Sequence, residues 1–254
     1  KGGKVMRLRT LAGILFVALL APVPGEAGTM PANPAANVES RKVLNWLQQL
    51  PQQTTDRVLS GQNLAHHPYN VPQGYANYVE GLETDTGYRP LLVGADFGRG
   101  SASDLSRANA VLIDHWNSGG LVTISMHPDN PWTNNGYRDL TNRNLEELIT
   151  AGTSANQAWM AKVDHIADGL EELRDAGVVV LFRPFHEMNF RSVFWWDVGA
   201  VLDDHPAQGE AVWIAMWRHL FDYLTGERDL HNLLWVYAAA DYDDVHHGVT
   251  RVYP

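Results

Sequence analysis

The 254-residue chain is 45% hydrophobic and 19% charged, with 22 Gly and 13 Pro, which fits a globular domain with a sizeable core and excludes a disordered or fibrous chain. It has no cysteine, so a disulfide scaffold, a Cys-ligated metal site and a thiol nucleophile are excluded. The formal net charge of −10 argues against nucleic acid or an anionic membrane surface as partner and leaves a neutral substrate open.

The chain opens with Lys4, Arg7 and Arg9 ahead of an apolar run, Leu11 to Ala21, that is too short to span a bilayer comfortably. Pro22, Pro24 and small residues follow. The pattern predicts a signal peptide over residues 1–27, cut near Ala27 or Gly28, and so a secreted or periplasmic protein with no membrane attachment after cleavage. An uncleaved anchor is the alternative. The first methionine is Met6, and Lys1 to Val5 read as upstream residues. Residues 28–37 read as a linker rich in Pro, Asn and Ala.

From Val38 onward, helical and strand patterns alternate. The spacing of Val43, Leu44, Leu47 and Leu50 predicts a helix over 38–50. Val58 to Ser60 predict a short strand running into Gly61 and Gln62. Leu91 to Phe97 predict a buried strand, residues 104–118 a helix, and Leu121 to His127 a third strand. A long helix over 156–176 ends at Gly177. Val178 to Phe185 form the strongest strand pattern, residues 206–225 another helix, and Leu233 to Ala238 a fifth strand. Repeated βα units with continuously apolar strands predict a parallel sheet covered by helices. An open doubly wound sheet and a (β/α)8 barrel compete. The doubly wound sheet loses support because no Gly-rich dinucleotide fingerprint follows the first strand.

The polar residues gather where the predicted strands end: Gln62 and Asn63, Asp96, His127, then Arg183 to Glu187, then Tyr237 ahead of the acidic stretch Asp241 to Asp244. In a barrel, that end carries the chemistry. Glu187 follows an apolar strand, lies between Phe185 and Met188, and has Trp195 and Trp196 nearby. A carboxyl group in apolar surroundings holds its proton and suits general-acid catalysis. The plainer reading pairs Glu187 with Arg183. A zinc-peptidase motif fails because position 190 is Phe, not His. The pairs His66-His67 and His246-His247 lack a third ligand at a recognisable spacing. No GxSxG elbow is present. No metal or cofactor is expected. Of the loop aromatics Tyr69, Tyr75, Tyr78, Trp132, Tyr137, Phe194, Trp195 and Trp196, the prediction picks Trp132, Trp195 and Trp196 as sugar-stacking platforms.

The stretch Arg183 to Asn189 (RPFHEMN), followed by Phe194 to Trp196 (FWW), resembles glycoside hydrolase family 26, which contains retaining β-mannanases built on (β/α)8 TIM barrels. Residues 121–132 and 233–238 resemble that family's third and fifth strands, and the GQN at 61–63 and GADF at 94–97 also fit. The resemblance spans about residues 38–254 and implies a barrel of which about the first five strands lie in this chain. It implies that Glu187 is the general acid/base, that His186 contacts the sugar beside the scissile bond and that His127 lines the same subsite. Asp96, Asn189, Trp132, Trp195 and Trp196 join them as substrate-binding residues. Met126 departs from the family's Trp, Asp197 from its Gly, and Val193 to Trp196 stand where the family has Trp-Phe-Trp-Trp, displaced by one residue.

A retaining mechanism needs a second carboxylate about 5–5.5 Å from the first. The resemblance places that nucleophile at the end of strand seven, beyond residue 254. Val252 to Pro254 resemble the segment before strand six, so the sequence is expected to stop short and, by itself, to be inactive. The expected protein is a secreted, monomeric endo-β-1,4-mannanase acting on β-mannan. Alternatives are a β-1,3-xylanase or mixed-linkage glucanase of the same family, or a non-catalytic carbohydrate-binding relative.

Overall fold

The computed structural model describes residues 30–53, 58–190, 192–198, 209–240 and 253–254. The expected signal peptide, Pro206, the acidic stretch Asp241 to Asp244 and the pair His246-His247 lie outside them. Helix α1 (Val38–Gln49) is capped by the Asn37 side chain, which accepts from the Ser40 N–H. The segment before it is not a loose linker. Asn33 and Ala36 are buried, Asn33 Nδ2 lies 3.1 Å from His231 Nδ1, and the Asn37 N–H donates to the His231 carbonyl. Those contacts tie residues 33–37 to the turn before the fifth strand.

Five parallel strands form one sheet: β1 (Gly61–Asn63), β2 (Leu92–Asp96), β3 (Leu121–Ser125), β4 (Val180–Arg183) and β5 (Leu233–Trp235). Their spatial order is their chain order, β1-β2-β3-β4-β5. A doubly wound sheet reverses direction at a switch point. A sheet that adds each new strand on the same side, through helical crossovers, follows the path of a (β/α)8 barrel, here over its first five strands.

The first strand starts later than the sequence pattern suggests. Val58 and Leu59 are exposed, and pairing begins at Gly61 opposite Leu92. The other strands keep their places and are trimmed at their ends.

Two helical segments went unpredicted. Between β1 and β2 the chain forms α2 (Val71–Tyr75), a π-helical turn over Ala76–Glu80, and α3 (Gly81–Thr86). Gly74 and Gly81 blur the apolar period there. Gly74 is required by packing, because a Cβ at this position would lie 2.1 Å from the Leu64 carbonyl oxygen. The second segment is the short α5 (Leu145–Ile149). The longer helices α4 (Ala102–Asn117) and α6 (Ser154–Asp175) are capped by Ser101, in a reciprocal capping box with Asp104, and by Thr153. Within the described residues α7 begins at Gly209 and runs to Asp222, followed by a π-helical turn at Tyr223–Glu227.

Strand register sorts the side chains into two faces, because alternate residues point to opposite sides. Val93, Val122, Val180 and Leu233 are aligned, as are Ala95, Ile124, Phe182 and Trp235. The buried members of these rows belong to the main core with Trp159, Leu170 and Trp217. The alternate rows carry polarity: Gly94, Thr123 and Leu181, then Asp96, Ser125 and Arg183. Thr123 Oγ1 donates to the Leu181 carbonyl and accepts from Arg183 Nε at 3.0 Å. The polar side chains therefore share one face and lead toward one end of the sheet.

Candidate active site

At that end, β2 finishes on Asp96, β3 passes through Ser125 to His127, and β4 passes through Arg183 to His186 and Glu187. Asp96 is almost wholly buried. Its Oδ1 accepts from the backbone N–H groups of Gly98 and His127, each at 3.1 Å. Its Oδ2 accepts from Ser125 Oγ at 2.9 Å and faces His127 Nδ1 at 2.6 Å. Burial alone would push the carboxyl up, but the hydrogen bonds from His127, Gly98 and Ser125 outweigh it and hold Asp96 below the usual carboxylate range. The fit is close: a Cβ on Gly98 would lie 2.3 Å from the His127 nitrogen. With both oxygens committed and the side chain enclosed, Asp96 braces His127 from behind.

His127 Nε2 lies 3.1 Å from His186 Nε2, and the rings meet edge to face with centroids 4.4 Å apart. Both imidazoles are buried, at 8% and 7% exposure. Burial, and then the neighbouring His127, push His186 down to about 3, so it is neutral at neutral pH. Around His127 stand Tyr137, with ring centroids 4.8 Å apart, Phe194 at 5.6 Å, His66 at 5.9 Å and Trp196 at 6.0 Å. The sugar contact expected of His186 does not follow from this arrangement. Its Nε2 is engaged by His127, and its Nδ1 is buried without a hydrogen-bond partner.

Glu187 is exposed, which corrects the apolar setting read from its neighbours in sequence. Phe185 and Met188 are fully buried on either side of it, and the backbone turns the carboxylate away from them. Phe185 has φ 48° and Glu187 φ 54°. A non-glycine residue in this left-handed region costs of order 1–3 kcal/mol and persists only where its surroundings hold it. Here the Glu187 N–H donates to the Ala238 carbonyl at 2.7 Å, the Glu187 carbonyl accepts from the Phe190 N–H, and the His186 carbonyl accepts from Trp196 Nε1 at 3.0 Å. The alternative reading, a direct pairing with Arg183, is not seen as a hydrogen bond, because Arg183 Nε donates to Thr123 Oγ1, although the Glu187 charge still acts on the guanidinium.

Two of the three expected platforms are enclosed. Trp195 and Trp196 have no exposed surface. Trp195 donates through Nε1 to the Pro128 carbonyl at 2.9 Å, while Trp196 stacks on Phe194 with centroids 4.6 Å apart. They hold the loops from beneath instead of presenting a face to sugar. Trp132 is half-buried and donates to Glu147 Oε2 at 2.8 Å. Asn189 is buried, and its amide donates to the Ala240 carbonyl and accepts from the Ala240 N–H.

Ser125, Thr123 and Tyr137 were not picked out as site residues. The first two share a strand face with His127 and Asp96, so two-residue periodicity was the available signal. Arg99 stacks its guanidinium over the Tyr137 ring at 4.7 Å. An open cavity of about 520 Å³ extends from there along Asn135 to Asp139 and Thr141. A second, also about 520 Å³, follows Gln62 to His67 and α2. The two cavities reach the His127 cluster through Tyr137 and His66. Among the described residues no group of three or more His, Asp or Glu is placed to hold a metal ion.

The sequence profile of glycosyl hydrolase family 26 matches residues 32–254. The chain is 35% identical to mannan endo-1,4-β-mannosidase A and B of Caldalkalibacillus mannanilyticus, covering 96% of this chain and 48% of that protein. It is 32% identical to a mannan endo-1,4-β-mannosidase of Bacillus subtilis strain 168, covering 89% of this chain and 65% of that one. The chain thus spans about half to two thirds of these curated relatives. Among solved structures, the Bacillus subtilis mannanase man26 superposes with a TM-score of 0.76 at 31% identity, over 90% of this chain and 69% of that one. The strand order, the acidic turn after β4 and a family match over nearly all the described residues converge: the chain belongs to glycosyl hydrolase family 26.

Proposed function

We propose that this chain is part of a secreted endo-β-1,4-mannanase that cleaves mannan by retaining double displacement, with Glu187 as general acid/base. The observation that carries this reading is the placement of Glu187. It is an exposed carboxylate on a braced, left-handed turn at the end of β4, where barrel enzymes gather their catalytic groups. The mannanases among its relatives support mannan as the substrate, and the two cavities flanking the His127 cluster support a chain-like ligand.

In this mechanism Glu187 protonates the departing glycosidic oxygen while a second carboxylate, which the family resemblance places beyond residue 254, attacks the anomeric carbon. Glu187 then takes a proton from the incoming water. Tyr137 in the first cavity and Tyr78 in the second offer partly open rings to the sugar, and Trp132 is half-buried. Secretion rests on the basic and apolar start of the sequence.

The test is hydrolysis of β-1,4-mannan by the product of the complete reading frame, followed by proton NMR during the first minutes. Manno-oligosaccharides released as the β-anomer are expected. Release of the α-anomer first, or cleavage of β-1,3-xylan or mixed-linkage glucan with mannan untouched, contradicts the reading.

A further inference from the structure

We propose that Asp96 is a positioning residue that fixes the proton arrangement of both histidines and, through His186, steadies the turn carrying Glu187. Asp96 is an acceptor at both oxygens. His127 Nδ1, 2.6 Å from Oδ2, must therefore carry a proton. With that one ring proton, His127 presents a lone pair at Nε2. His186 Nε2, 3.1 Å away, must supply the proton between the rings, which leaves His186 Nδ1 bare.

The burial pattern gives the same answer independently. His186 Nδ1 is enclosed without a partner, and a protonated nitrogen there would be an orphaned donor, which folded proteins tolerate less readily than an orphaned acceptor. The chain Asp96, His127, His186 is thus directional. Its last member sits between the two left-handed residues, with its carbonyl held by Trp196. The enzymatic consequence rests on the reading of Glu187 as acid/base, whereas the proton arrangement does not.

The test is Asp96→Asn in the complete protein. Two backbone N–H groups occupy the Oδ1 position, so the Asn oxygen must take that place and its NH₂ must face His127 Nδ1. His127 is forced to accept at Nδ1 and to donate from Nε2, and His186 must move its proton to the buried Nδ1. Long-range ¹H–¹⁵N spectra of the imidazoles should show His127 protonated at Nδ1 and His186 at Nε2 in the wild type, and both exchanged in the variant. The turnover number on mannan should fall about 10- to 100-fold, the scale of one lost hydrogen bond to a charged group, with KM within about threefold. An aryl mannoside with an acidic phenol should lose less in its first step.

A wild-type spectrum with His186 protonated at Nδ1 overturns the proposal, even if the variant does not fold. Unchanged tautomers and unchanged turnover in a folded Asp96→Asn protein also overturn it. A wild type that shows the expected tautomers but cleaves no mannan refutes the mannanase reading and leaves the proton arrangement intact.

Discussion

Asp96 and Glu187 are carboxylates at the ends of β2 and β4, on either side of β3, yet their surroundings assign them opposite work. Asp96 spends both oxygens on Gly98, Ser125 and His127, whereas Glu187 is fixed through its backbone and leaves its carboxylate exposed. The buried histidines add a pH dependence. His186 is pushed down to about 3 and His115 is lowered, in both cases first by burial. Unfolded histidine titrates near 6.5, so the unfolded chain takes up protons below that pH while the folded chain does not. Their contribution to stability is complete above about 6.5 and is lost as pH falls toward the folded values. Urea midpoints of the complete protein should therefore drop between pH 7.5 and 5, above the range where Asp96 titrates. A constant midpoint would show that these histidines are not held neutral. The placement of Asp96, His127 and Glu187 at or just past strand ends was legible in the sequence, because strand ends can be read from apolar runs. Their burial was not. Trp195 and Trp196 look the same in sequence whether they face sugar or pack beneath a loop, and only the tertiary contacts to Pro128 and His186 decide.

At the scale of elements, apolar periodicity located α1, α4, α6 and each strand, with boundaries shifted by a few residues where pairing and caps take over. It failed over α2 and α3, where Gly74 interrupts the pattern so that the helix can lie against the Leu64 carbonyl. A Cβ 2.1 Å from that oxygen cannot be accommodated without moving backbone. Gly74→Ala should therefore destabilise the protein by about 1–3 kcal/mol, as overpacking does, even though alanine favours helix by about 1 kcal/mol. Thermal unfolding reads the sign: a lowered melting temperature is expected, and a raised one would mean that α2 does not approach Leu64, just after β1, this closely. A separate anchor joins α6 to the turn after α7, where Arg228 reaches Asp164, Asp168 and Glu171. Its partners are 29–66% exposed, so it contributes modestly.

Over the whole molecule, the repeated βα pattern made a helix-covered parallel sheet readable and the family resemblance added the barrel, while the spatial order β1-β2-β3-β4-β5 became visible only in the structure, where no switch point intervenes. Within the described residues β1 and β5 each pair on one side only. The central claim concerns Glu187, and the most direct measurement is azide rescue of Glu187→Ala in the complete protein. Without the acid, cleavage of mannan should fall by about 10²–10⁴-fold. An aryl mannoside with an acidic phenol should still react in a burst and then stall as the glycosyl-enzyme, because no base remains to activate water. Azide needs no deprotonation, so it should restore turnover and give the β-mannosyl azide. No rescue, or the α-azide as product, would contradict the account, and the α-azide would make Glu187 the nucleophile instead.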